Sequence, residues 1–192
     1  MAWLWQRDID DEKREPAAIF RLRHMVSAKA PGLAKAGEHV ASLGIPRGAR
    51  VLDFGCGTGH YALAAARAVG RDGFVHAADA HPAALDIIER DAARMNLQNI
   101  ETIFTDLETG LDDASVDAVL LFNVLGGRRD VKALLSEMRR VLKPGGLLHV
   151  RSPELKNGRL ELMLMKDGLF RLSARSGEFA SFSRVDGGFQ EI

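Results

Sequence analysis

The chain has 192 residues, 46% of them apolar, and its 26 basic and 26 acidic side chains give a formal net charge of zero. That length suits one compact domain with a sizeable core. The charge balance lacks the positive excess on which binding to long nucleic-acid backbones or acidic membranes rests.

A single cysteine, Cys56, leaves no disulfide framework and no cysteine-based zinc site within one chain. No metal is expected. No apolar run reaches the roughly 18 residues of a membrane-spanning helix. The opening MAWLWQRDIDDEKREP turns charged at once and lacks the apolar centre of a signal peptide. The expectation is a protein of the reducing cytoplasm.

In chain order, Pro16 to Ala28 has apolar spacing suited to an amphipathic helix with Pro in its first turn. Pro31-Gly32 breaks it, and a second helix is predicted from Leu33 to Leu43. Arg50 to Phe54 is a short apolar strand. Tyr61 to Val69 is a strong helix former that ends at Gly70. Strands follow at Gly73–Asp79, Ile100–Asp106 and Val116–Asn123, with a helix from Pro82 to about Met95. A helix over Val131–Leu142 is stopped by Lys143-Pro-Gly-Gly146, and Leu147–Val150 is a fifth strand. After an apolar helical run, LELMLMK, two strands around a Ser-Gly turn read as a closing antiparallel hairpin. Strands alternating with helices imply a parallel sheet covered on both faces, and nearly continuous apolar strands agree with that. The fold class is therefore α/β, doubly wound.

Glycines at 55, 57 and 59 follow the first strand directly, in VLDFGCGTGHY. Ligands of open parallel sheets bind beyond the carboxyl ends of the strands. Glycine there permits positive φ and close approach of main chain to a ligand. The next strand ends in Asp79, about 20 residues on, where a nucleoside-binding sheet places a carboxylate for ribose hydroxyls. The third strand ends in Asp106 and the fourth in Asn123, so four consecutive strand ends carry polar groups toward one crevice. Each residue also has a plainer reading. Asp79 can cap a helix, Asp106 can be a solvated loop carboxylate, and Asp53 can support the glycine loop by accepting its N–H groups. Cys56, at a helix start where thiol pKa values fall, is better explained by small size between two glycines.

VLDFGCGTGHYA, FVHAADAHPAAL, IETIFTDL, VDAVLLFNVL and LSEMRRVLKPGGLLHV, in this order, resemble the successive motifs of class I S-adenosylmethionine-dependent methyltransferases. The branch most similar in tone holds the ubiquinone and menaquinone C-methyltransferases. The resemblance runs from about Leu33 to Ser152. It implies a seven-stranded, mostly parallel sheet of order 3-2-1-4-5-7-6 with strand 7 antiparallel. It implies one methyltransferase domain over 1–192, with a helical segment at 1–45 and a cofactor-binding core at 46–192.

It also implies site roles. Asp53, Gly55, Cys56, Gly57 and Gly59 would face the methionine part of S-adenosylmethionine. Asp79 would bind the ribose hydroxyls with Ala80 beside the adenine. Asp106 and the Leu107 main chain would meet the adenine, and Asn123 the amino group near the sulfonium.

Methyl transfer from a sulfonium is an in-line displacement in which the protein mainly aligns the partners. His24 and His60 are the candidates for lining the acceptor site, and no base is assigned. The link from Asp106 to Val116 is too short for the family's usual helix, and the inserted cap of many relatives is missing. Acceptor recognition then falls to the N-terminal segment, to the loop bearing Arg128-Arg129 and to the run after Ser152. Arg128-Arg129 reads either as an anion site or as a solvated turn. LELMLMK reads as core or as an apolar pocket. Trp3 and Trp5 suit a lid, a homodimer contact or a free tail.

The expected activity is methylation of a small-molecule acceptor. The alternatives are a non-catalytic adenosylmethionine-binding protein or partner subunit and, against the G-x-G-x-G spacing, a nicotinamide-dependent oxidoreductase.

Overall fold

The computed structural model describes residues 32–126, 128–152, 158–166 and 168–186. The predicted helix at 16–28, Trp3, Trp5 and His24 lie outside the described residues. Helix α1 spans Leu33–Ser42, and strand β1, Arg50–Phe54, follows a turn. The alternation continues with α2 (His60–Val69), β2 (Phe74–Asp79), α3 (Pro82–Arg94), β3 (Ile100–Phe104), β4 (Val116–Phe122), α4 (Val131–Val141) and β5 (Leu142–Arg151). Helix α5 (Arg159–Lys166) leads into the hairpin β6 (Phe170–Ser176) and β7 (Phe179–Arg184).

The seven strands form one sheet of order β3-β2-β1-β4-β5-β7-β6. β1 to β5 run parallel, and β7 pairs antiparallel with both β5 and β6. This is the predicted topology. It puts the carboxyl ends of β1, β2, β3 and β4 on one edge, with the order reversing between β1 and β4.

Side chains alternate across the pleat, and each strand feeds two layers. Leu52, Phe54, Val119, Leu121, Leu148 and Val150 pack on the face that receives Leu134, Leu135, Met138 and Val141 of α4. Val51, Val75, Ala77, Leu120 and Phe122 pack on the other face with the alanine-rich α2 and with Ala36 and Val40 of α1. Fully burying one such aliphatic side chain contributes about 1.5–3 kcal/mol. The Asn99 side-chain amide closes α2 by donating to the carbonyls of Ala66 (2.9 Å) and Gly70 (2.8 Å). His149, inside β5, bonds through Nδ1 to Ser181 Oγ at 2.8 Å, and burial pushes its pKa down to about 4. It is a neutral core histidine.

The structure moves two boundaries and decides between the two readings of a third segment. Lys143-Pro-Gly-Gly146 does not separate α4 from β5 but lies within β5 as a bulge. Register passes from Val116↔Leu142 to Ala118↔Leu147, so the extra residues loop out. Gly145 takes φ +77°, and a Cβ on Gly146 would lie 2.9 Å from the Asp117 carbonyl oxygen, which explains the glycines. Second, the hairpin turns at Gly177-Glu178 rather than Ser176-Gly177, with Gly177 at φ +60°. Third, in LELMLMK only one of the two alternatives has support: Leu164 is buried in the core while Leu162 is 72% exposed.

The link between β3 and β4 has no helix, as expected, and is strapped to α4 instead. Thr109 donates its N–H and its hydroxyl to Glu137 Oε1, at 2.9 and 2.6 Å. Arg140 closes the strap by pairing with Glu137 at 2.7 Å and with Asp113 at 2.6 Å. The Arg140 hydrogen bonds hold the Glu137 carboxyl down to about 2 against the effect of burial.

Candidate active site

β1 carries Asp53 to the sheet edge on the face it shares with Val51, toward α2. Asp53 is 2% exposed, and its Oδ2 has no hydrogen-bond partner among the described residues. Burial pushes its pKa up to about 7; the charge of Asp79 adds to the rise, and a hydrogen bond from the Ala62 amide opposes it. A buried polar atom without a partner costs about 1–3 kcal/mol, more when charged. Such an atom in a crevice is a fitted place for a cation or a donor.

Gly55, Gly57 and Gly59 all take positive φ (71°, 54° and 79°), a conformation glycine adopts without a Cβ penalty. The close approach predicted for a ligand is made, at two of these positions, by the protein itself. A Cβ on Gly55 would lie 2.5 Å from Val124 Cγ2, and one on Gly59 would lie 2.3 Å from Ile88 Cγ1.

The loop amides also go elsewhere than Asp53. Gly55 and Cys56 both donate to the Ala78 carbonyl, at 2.8 and 3.1 Å, and Gly57 donates to Asp79 Oδ2 at 2.8 Å. Pleat alternation turns Asp53 into the α2 layer, whereas Asp79 ends the neighbouring strand directly beside the loop.

Asp79 therefore has two visible duties. Oδ2 fixes the loop, and Oδ1 accepts the His81 N–H at 2.9 Å, at the start of α3. A carboxylate offers about four acceptor sites, so it retains capacity for further donors. Ala80 follows it, exposed. Beyond β3, Asp106 is exposed, and the Leu107 N–H donates to Thr105 Oγ1 at 3.1 Å. Asn123, exposed at φ +60°, donates its N–H to the Arg151 carbonyl at 2.7 Å. The structure thus brings Asp53, the glycine loop, Asp79, Asp106 and Asn123 to one edge of the sheet.

Cys56 is half-buried. Burial first, then the charges of Asp53 and Asp79, hold its thiol well above the ordinary value, so it stays protonated. His60 opens α2 with Nδ1 at 3.3 Å from Thr58 Oγ1. Burial lowers its pKa, with Asp91 opposing, and it is neutral at pH 7. Arg128 is engaged: it grips Asp130 through Nε (2.9 Å) and donates from Nη2 to the Asp106 carbonyl (2.7 Å). It ties the loop after β4 to the end of β3.

Sequence reasoning missed a neighbouring cluster. The His39 Nδ1 lies 3.0 Å from the Tyr61 hydroxyl. The rings of Tyr61 and Phe122 are 4.5 Å apart, and those of Phe122 and Phe179 are 5.8 Å apart. Arg151 stacks on Phe179 at 5.5 Å from its centroid. The available signal was the strand-end rule itself: Arg151 ends β5, one residue past the predicted boundary.

A methyltransferase-domain family matches residues 51–146, half of the chain. The chain belongs to this family. The matched stretch runs from β1 through the glycine loop and the four strand ends to the bulge of β5. The chain is 35% identical over 107 residues to the demethylmenaquinone methyltransferase of Staphylococcus aureus (strain JH9), a match covering 55% of this chain and 44% of that protein. The chain thus spans less than half the length of the curated relatives it matches. A methyltransferase of Aquifex aeolicus, described as S-adenosylmethionine-dependent, superposes with a TM-score of 0.71 at 21% identity, covering 90% of this chain and all of that one. That likeness shows the shared fold. The arsenic(III) S-adenosylmethionine methyltransferase of Chlamydomonas reinhardtii is 31% identical, with a TM-score of 0.52 over 70% of this chain and 56% of that one. No helix among the described residues is long and apolar enough to cross a membrane.

Proposed function

We propose that the crevice binds S-adenosylmethionine and that the methyltransferase passes its methyl group to a small-molecule acceptor in the cytoplasm. The observation that carries the reading is the buried Asp53 Oδ2 without a partner, beside a glycine loop and a second strand-end carboxylate. The ligand named carries two positive centres at the reacting end, an ammonium and a sulfonium, beside one carboxylate, and Asp53 is an acceptor that the described residues leave unsatisfied. Asp79, already fixed at two points, is preorganised to take hydroxyl donors on its remaining lone pairs. Asp106 and the Leu107 main chain suit the adenine edge, Ala80 leaves room beside it, and Asn123 adds an amide at the methionine end. The main chain from Gly55 to Gly59 borders the same end.

Bound there, the sulfonium supplies an activated methyl group, and the side chains hold, orient and screen. Cys56, kept protonated, takes no nucleophilic part. His60, at the start of α2 beside the glycine loop, is the candidate among the described residues for lining the acceptor site.

Calorimetric titration with S-adenosylmethionine tests this reading. The intact protein is expected to bind, and Asp79→Ala to weaken binding about 100-fold, the loss of two charge-assisted hydrogen bonds. Equal affinity in the two proteins, or no uptake by the intact one, overturns it.

A further inference from the structure

Arg151 is the one strand-end group left outside this reading, and its surroundings are unusual for a cation. Its side chain is 16% exposed, and Nε and Nη1 are buried without a hydrogen-bond partner among the described residues. Nη2 faces Glu178 at 3.5 Å, a long contact, and the guanidinium lies over the Phe179 ring. Other cations on and beside the sheet are better matched. Lys143 meets Asp117 at 2.7 Å, and Arg140 meets two carboxylates. Buried guanidinium N–H groups are nearly always paired, so these two donor nitrogens leave room for an acceptor that the described residues do not supply.

The position is equally specific. Arg151 pairs in register with Phe122 of β4, and its carbonyl receives the Asn123 N–H. It therefore stands at the crevice edge, one strand beyond β4, on the side away from the β2 and β3 ends that suit ribose and adenine. The guanidinium lies over the Phe179 face and interacts with the Tyr61 hydroxyl, whose ring packs on Phe122, and no described carboxylate closes on Nε and Nη1. The Nε–H and the Nη1 N–H groups point to different sides of the guanidinium, so a carboxylate would meet them one at a time, through a single charge-assisted hydrogen bond to each nitrogen it reaches.

We propose that Arg151 anchors a carboxylate of the methyl acceptor, so that the substrate class is an aromatic or otherwise apolar carboxylic acid. This rests on the proposed function and names the acceptor's chemistry at the same crevice. The carboxylate has one other source, the methionine part of the cofactor, and the test separates the two.

The test uses the full chain loaded with S-adenosylhomocysteine, titrated by calorimetry with benzoate and with benzamide, its neutral isostere. Benzoate is expected to bind at least about tenfold more tightly than benzamide, the value of a charge-assisted pair. Arg151→Gln should erase that preference, and Arg151→Lys, which keeps the charge without the fork, should keep part of it. Thermal unfolding of both variants confirms that they are folded, and the lysine variant carries the test if the glutamine variant is not. Affinities for S-adenosylhomocysteine and 5′-methylthioadenosine, which lacks the amino-acid carboxylate, are measured alongside. The proposal expects neither to change in the variants. A fall for S-adenosylhomocysteine alone gives Arg151 to the cofactor and overturns the acceptor assignment. Equal binding of benzoate and benzamide to the loaded intact protein also overturns it. Failure of the intact protein to bind S-adenosylhomocysteine at all is a different result, and it removes the proposed function itself.

Discussion

Asp53 and Asp117 sit on neighbouring strands at opposite ends of the sheet, and their surroundings could hardly differ more. Asp117 accepts the Arg50 N–H at 2.8 Å and the Lys143 ammonium at 2.7 Å. Burial alone would raise its pKa, but those partners outweigh burial and lower it. Asp53 is buried with one oxygen unpartnered, and burial raises it to about 7. At the amino edge the carboxylate is completed by the fold and secures the β5 bulge. At the carboxyl edge it is left incomplete, which is unfavourable in isolation and favourable once a cation arrives. The same sheet thus places a satisfied carboxylate at its amino edge and an unsatisfied one at the proposed binding edge.

The largest effect is expected at Gly59, which lies on the proposed binding edge yet packs like a core residue. Gly59→Ala should cost about 3 kcal/mol or more in a denaturant titration, from overpacking on Ile88 plus a non-glycine residue at positive φ. Shortening the obstacle with Ile88→Val should not restore the loss fully, because valine keeps a γ carbon at the nearest contact and the backbone strain remains. If Gly59→Ala folds with unchanged stability, the crowding by Ile88 is not what requires glycine there.

Next in size is the strap behind the crevice. The Glu137 carboxyl is held down to about 2 from its ordinary 4.5, chiefly by Arg140. The folded protein favours the ionised form, so the stabilisation is full above 4.5 and is lost as pH falls toward 2. Glu137→Gln should lower stability by about 2 kcal/mol at pH 7 and flatten the acid limb of the stability curve. An unchanged acid limb would show that the strap contributes nothing.

Smaller again is Asp117→Asn, expected to cost about 1 kcal/mol, since its partners are half-exposed and screened. It should leave adenosylmethionine affinity untouched. A change in affinity would blur the division between the two edges.

Much of this architecture is legible in the residues because it rests on short-range rules. The Ala-rich run before Gly70, the continuous apolar strands and the glycine cluster each dictate their local structure, and the strand order follows from the family's motif order. The bulge at Lys143–Gly146 was not legible, because it depends on Asp117 reaching across from β4. The reason for Gly55 and Gly59 was also hidden: Val124 and Ile88 lie far off in sequence and meet the loop only in the folded sheet. Arg151 escaped through a boundary one residue short. Asp79 at a strand end was readable, but its hold on the Gly57 amide, the duty expected of Asp53, depends on which face each side chain takes.

The central claim is that Asp53 is unsatisfied in the fold and satisfied by a cationic ligand. Because the folded state retains the Asp53 proton more tightly than the unfolded chain, its stabilisation is complete below 3.8 and lost as pH rises through about 7. The direct measurement is Asp53→Asn at pH 8, with unfolding free energy and S-adenosylmethionine affinity determined on the same samples. The account predicts opposite signs: the free protein gains about 1 kcal/mol in stability, while affinity falls about tenfold or more. A variant that is less stable and binds as tightly as the native chain would contradict it.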